Sequence, residues 1–83
     1  MPKWNEFIPS GFEYDYEGDE LYAHRITIEE AIQCFHNRFT VRRNKQYKDR
    51  FKLLGKTHAG RKLCVIFQLK KHRIARIITG WEV

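Results

Sequence analysis

Proton transfer near neutral pH is histidine chemistry, and His24 stands just before the strongest helix-start signal in the chain. An imidazole with an unperturbed pKa near neutrality suits general acid or base work. The same ring could instead order the loop before the helix by bonding the backbone. His58 and His72 fall in predicted turns, where solvation is the simpler reading. Tyr14, Tyr47, Phe51 and Trp81 lie among cations and could offer faces for base stacking. Packing into a small core is the competing use of such rings.

Cations supply the second kind of chemistry. Residues 1–36 hold two Lys/Arg against eight Asp/Glu, a balance of −6; residues 37–83 hold fourteen against two, a balance of +12. The natural counter-surface of such a basic half is a polyanion, nucleic acid before membrane or metabolite. Its densest run contains Arg38, Arg42, Arg43, Lys45, Lys48, Arg50 and Lys52, with Lys56 following. A solubilising surface is the alternative, but acids are nearly absent there. A nucleic acid is the expected ligand, with Arg38, Arg42, Arg43, Lys45, Lys48, Lys56 and Trp81 contacting it.

Two motifs are excluded on chemistry. Gly55-Lys56-Thr57-His58-Ala59-Gly60-Arg61-Lys62 has the outline of a phosphate-binding loop. However, Arg61 stands where that loop needs Lys, Lys62 stands where it needs Ser or Thr, and a strand follows. A glycine-rich hairpin turn fits better. Cys34 and Cys64 have no CxxC or CxxH company, so neither a metal nor any cofactor is expected, only two buried free thiols.

The elements that position these groups follow from periodicity. The 83 residues allow one domain. Residues 1–11 read as an irregular lead-in and residues 12–83 as the domain. Phe12-Glu13-Tyr14-Asp15 alternates as a short strand would; residues 15–19 read as a loop or one helical turn. Thr27 and Glu30 form a capping box, Ile26 can staple onto Ala31, and Ile28, Ala31, Ile32 and Phe35 make one apolar stripe. The helix is therefore expected from about Ile28 to His36, with Asn37 as its stop. Beyond it the period becomes two. Phe39 and Val41 alternate with cations, Asn44-Lys45 is a turn candidate, and Phe51, Leu53 and Leu54 lead into Gly55. Residues 63–69 and 74–79 are apolar on both faces around a polar tip, Lys70-Lys71-His72-Arg73. The expected fold is α+β, a small antiparallel sheet of four or more strands with an N-terminal helix on one face. No apolar run could span a membrane, and Met1-Pro2-Lys3-Trp4 opens no signal peptide, so a cytoplasmic location is expected.

The segment from Gly55 to Phe67, followed by Ile74-Ala75-Arg76-Ile77-Ile78-Thr79, resembles the BrnT toxin family. So do Phe12-Glu13-Tyr14-Asp15 and His24-Arg25-Ile26-Thr27 with Glu29-Glu30-Ala31. The likeness runs over residues 12–81 and lies in the order and spacing of these pieces. Acidic residues and Gly18 stand where family members carry a Lys. The resemblance implies a RelE-like fold and metal-independent RNA cleavage as a type II toxin, neutralised by a BrnA-like antitoxin. It marks Arg61 and Arg76, whose planar forks suit a phosphorane-like transition state. Each could equally be a solvated strand residue or pair with the acidic helix. The implied mechanism is attack of a 2′-hydroxyl on the adjacent phosphate, with Arg61 and Arg76 stabilising charge and His24 or Tyr47 moving protons. The alternative is an inactive RNA-binding or partner-binding module of the same fold.

Overall fold

The computed structural model describes residues 9–43 and 49–83. Strand β1 (Gly11–Tyr14) is followed by a one-turn helix α1 (Glu20–Ala23) and by α2 (Ile28–His36). Strands β2 (Phe39–Arg43), β3 (Arg50–Lys56), β4 (Lys62–Lys70) and β5 (Ile74–Glu82) complete a five-stranded sheet of order β1-β5-β4-β3-β2.

Strands β2 to β5 form the expected antiparallel meander. The sheet as a whole is mixed, which corrects the purely antiparallel expectation. β1 pairs parallel to β5, with Glu13 opposite Arg76 and Tyr14 opposite Ile77. A parallel pair needs a long crossover. Here the two helices and three strands between β1 and β5 supply it. β1 also begins inside the expected lead-in.

The expected helix forms with the expected ends. The Thr27 hydroxyl accepts from the Glu30 N–H at 3.2 Å, and Glu30 Oε1 accepts from the Thr27 N–H at 3.1 Å. Asn37 ends α2 and donates from its amide to the Lys56 carbonyl at 2.9 Å, tying the helix end to β3. α2 lies on β3 and β4, and α1 on β5. Beneath them a core forms from Leu21, Ile26, Ala31, Cys34, Phe35, Leu53, Leu63, Val65, Phe67, Ala75 and Ile77.

Two close approaches let these layers meet. A Cβ on Gly55 would lie 3.1 Å from Cys34 of α2, and one on Gly80 would lie 3.1 Å from Leu21 of α1 and 2.9 Å from the Cys64 carbonyl oxygen. Gly60 turns the β3–β4 hairpin at φ 87°, a conformation that glycine adopts without penalty. Its N–H donates to the Thr57 carbonyl at 2.9 Å, so this segment is the expected hairpin turn.

Candidate nucleic-acid interface

Successive residues of a strand face opposite sides of the sheet. With Leu53, Leu63, Val65, Phe67, Ala75 and Ile77 facing the helices, their neighbours face away. That outer face gathers Arg42 from β2; Arg50, Lys52 and Lys56 from β3; Lys62 and Lys70 from β4; and Arg76 from β5. Strand register places Glu13 of β1 on it; Asp15, Asp19 and Glu20 line a groove with Arg50 and Arg76 beside it, and Asp49 accepts from Gln68. Arg42, Lys52, Lys56, Lys62, Lys70 and Arg76 are all exposed. Between the cations run Thr40, Leu54, Cys64 and Trp81 in one cross-strand row. Cys64 is fully buried, and burial pushes its thiol pKa up against the pull of the Lys52 charge.

The RNA-contacting residues expected from the sequence divide accordingly. Arg42 and Lys56 stand on the outer face. Arg38 is exposed at its end, where Arg38, Leu54, Lys56 and Lys62 line a groove of about 240 Å³. Arg43 does not join them, because its parity in β2 places it on the helix side. Lys45, Lys48 and Tyr47 lie outside the described residues, as does the Asn44-Lys45 turn. Trp81 lies within β5 rather than beyond a strand end. It is 36% exposed, and its ring centroid is 6.4 Å from that of His24. Phe51 instead stacks on Phe67 against the core at 5.6 Å.

The expected catalytic set is not brought together. Arg61 precedes β4, whereas Arg76 sits opposite Gln68 near the far end of that strand. At about 3.3 Å per residue the two lie roughly 20 Å apart along the sheet. One phosphate cannot engage both. Arg61 is moreover occupied: its Nη1 donates to Glu30 Oε2 at 2.9 Å, and its Nε pairs with Glu82 Oε1 at 3.2 Å. This is the salt bridge to the acidic helix, one of the alternatives open to it. His24 ends α1, donates its backbone N–H to the Leu21 carbonyl, and is exposed beside Trp81, away from Arg76.

Arg76 has different surroundings. It is exposed, and no described hydrogen bond or ion pair occupies its guanidinium. Its register partner Glu13 turns instead to Lys70, whose Nζ stands 2.8 and 3.2 Å from the two carboxylate oxygens. Glu13, Lys70 and Arg76 line a groove of about 580 Å³ at the β1 edge, together with Tyr16, Asp15 and the apolar Ile28 and Ile32 of α2. Asp15 accepts from the Glu17 and Gly18 N–H groups. The Tyr14 hydroxyl donates to Asp19 and accepts from the Leu21 N–H at 3.0 Å. Burial, with the Asp19 bond next, pushes Tyr14 up to about 12. Neither Glu13 nor Lys70 is marked by the sequence as a site residue. The one available signal was alternation, which puts Glu13 on the face opposite Phe12 and Tyr14.

Among the described residues no cluster of three His, Cys, Asp or Glu could hold a metal ion, and no helix is long and apolar enough to cross a membrane. No protein-family model matches the chain, and no curated protein matches it either.

Proposed function

We propose that this protein is an RNA-acting domain of the BrnT-like, RelE-like toxin kind. In this reading it works in the cytoplasm, binds RNA along the outer face of its sheet, cleaves it without a metal ion, and is held in check by a BrnA-like antitoxin. The observation that carries the RNA part is the convergence of Arg42, Lys52, Lys56, Lys62, Lys70 and Arg76 from four strands onto the face opposite the core. Neutralising phosphates with such a face releases counterions and needs no base recognition. Trp81 and Leu54 supply the apolar and aromatic surface that unstacked bases prefer. The toxin part rests on the resemblance of residues 12–81 to BrnT sequences.

A second reading is a binding module without cleavage. The ion pairs that occupy Arg61, and its distance from Arg76, favour that reading over a shared Arg61–Arg76 catalytic centre.

Expression of the chain without a partner, combined with cleavage of total RNA by purified protein, separates the two readings. Growth arrest and RNA fragments, both unaffected by chelator and relieved by the antitoxin, support the toxin. Normal growth and intact RNA, from folded protein that still binds RNA, leave the binding module. Absence of salt-sensitive RNA binding refutes the toxin and the RNA-binding module, and leaves partner binding alone.

A further inference from the structure

The groove at the β1 edge combines four features that a simple surface ion pair does not require. Glu13 and Lys70 hold each other at 2.8 Å while remaining 41% and 43% exposed, so both are open to a ligand. Arg76, in register with Glu13, keeps its guanidinium unengaged among the described residues. Tyr16 stands at the same groove, 70% exposed, its ring braced edge-on by Tyr14 at 5.2 Å. The volume, about 580 Å³, falls in the range of sites that take a nucleotide-sized ligand.

We propose that this groove is the RNA-cleaving centre, with Glu13 as general base, Lys70 as general acid, Arg76 as the phosphate clamp and Tyr16 as the stacking platform for the base beside the cut. The assignment rests on the RNA-cleaving reading above and gives it a location that Arg61 and His24 do not share. Stacking on Tyr16 splays one nucleotide out of its strand and fixes the ribose near Glu13. The Glu13 carboxylate takes the proton of the 2′-hydroxyl as the O2′–P bond forms. The Arg76 fork donates to the two non-bridging oxygens, whose charge grows in the transition state. The P–O5′ bond breaks, and the departing 5′-oxygen takes a proton from the Lys70 ammonium. The products are a 2′,3′-cyclic phosphate and a 5′-hydroxyl. The attacking and leaving oxygens stand in line on opposite sides of the phosphorus, so bound RNA parts Glu13 from Lys70. When product leaves, their 2.8 Å contact re-forms, protonated Glu13 returns its proton to neutral Lys70, and the pair is restored. No electron changes hands and no co-reactant is consumed.

The test uses the full chain, purified with circular dichroism to verify folding, on a short single-stranded RNA. Glu13→Gln and Lys70→Ala each lower kcat by about 100-fold or more, the usual contribution of a general base or acid. Arg76→Ala does likewise, with RNA affinity changed far less than rate. Tyr16→Ala raises KM by about tenfold or more, as stacking predicts, and changes kcat less. An RNA with sulfur in place of the bridging 5′-oxygen gives a leaving group that needs no proton. It restores cleavage by Lys70→Ala but not by Glu13→Gln or Arg76→Ala. Wild-type cleavage with unchanged rates in the Glu13 and Lys70 variants overturns this site while leaving the ribonuclease reading intact. Salt-sensitive RNA binding without cleavage by the wild-type chain overturns the site and leaves the binding module. Absence of both binding and cleavage overturns the RNA reading itself.

Discussion

Arg61 bonds the Glu30 carboxylate at 2.9 Å through one oxygen while the other oxygen of that carboxylate caps α2. One side chain thus joins the helix start to the hairpin that opens β4, and Glu82 adds the end of β5 to the same cation. Burial alone would raise the Glu30 pKa. The Thr27 N–H and the Arg61 guanidinium outweigh it and hold the carboxyl below its ordinary value.

Arg61→Ala is accordingly expected to lower the melting temperature, by less than Thr27→Ala, whose lost cap costs about 1 kcal/mol. The pH dependence has a defined sign. A depressed carboxyl favours the folded state above its unfolded pKa, and that contribution is lost as pH falls through the folded value. The stability gap between wild type and Arg61→Ala is therefore present at neutral pH. It closes below the usual carboxylate range, as chemical denaturation at a series of pH values will show. If Arg61 instead serves catalysis, RNA cleavage will fall with no such gap.

Gly80 offers a second check on the packing. A Cβ there would lie 2.9 Å from the Cys64 carbonyl oxygen, a backbone atom of β4, and 3.1 Å from Leu21 Cδ2. Since the backbone cannot swing aside as a flexible side chain does, Gly80→Ala is expected to cost about 1–3 kcal/mol. Urea unfolding measures it. A neutral result would mean that β5 does not approach β4 and α1 at Gly80 as described.

The two thiols test burial directly. Cys34 is fully buried and its thiol is pushed up to about 11, first by desolvation and then by the Glu30 charge. Cys64 is buried and raised as well. Since thiolate is the reactive form, native protein at neutral pH should react with a maleimide or disulfide reagent far more slowly than denatured protein. Fast reaction of one thiol in folded protein would place Cys64, the cysteine on the outer face, within reach of solvent.

Much of this fold was legible in sequence because its strongest signals are local. The Thr27/Glu30 box and its apolar stripe define α2 within a few residues. The double-sided apolar character of β4 reflects a real second burial, with Cys64 and Ile66 covered on the outer face. The parallel pairing of β1 was not legible, because four residues carry no pairing information and the choice is made by the crossover. The separation of Arg61 from Arg76 was accessible in principle. With the hairpin tip read at residues 70–73, antiparallel pairing places Arg76 near the tip and Arg61 beyond the opposite end. The Glu13–Lys70 contact joins residues 57 positions apart, and no local pattern announces it.

The outer face makes a quantitative prediction about salt. For a single strand, log Kobs falls against log salt with a slope of about −0.7 per phosphate neutralised. Arg42 and Lys52 are paired across β2 and β3 in the middle of that face. Replacing either with Glu should weaken RNA binding for all sequences alike and flatten the slope by about 0.7 or more. Trp81 acts through a different term. Stacking involves no counterion, so Trp81→Ala should cost about 1–3 kcal/mol of affinity at every salt concentration and leave the slope unchanged. Arg43→Glu is the internal control, since strand parity places Arg43 on the helix side. Fluorescence anisotropy with a labelled RNA, from dilute to physiological salt, measures all four variants in one format. Equal effects of Arg42→Glu and Arg43→Glu would mean that charge alone, and not the outer face, governs binding. A Trp81→Ala line parallel to wild type but displaced, beside a flattened Lys52→Glu line, is the pattern that one cationic, aromatic face requires.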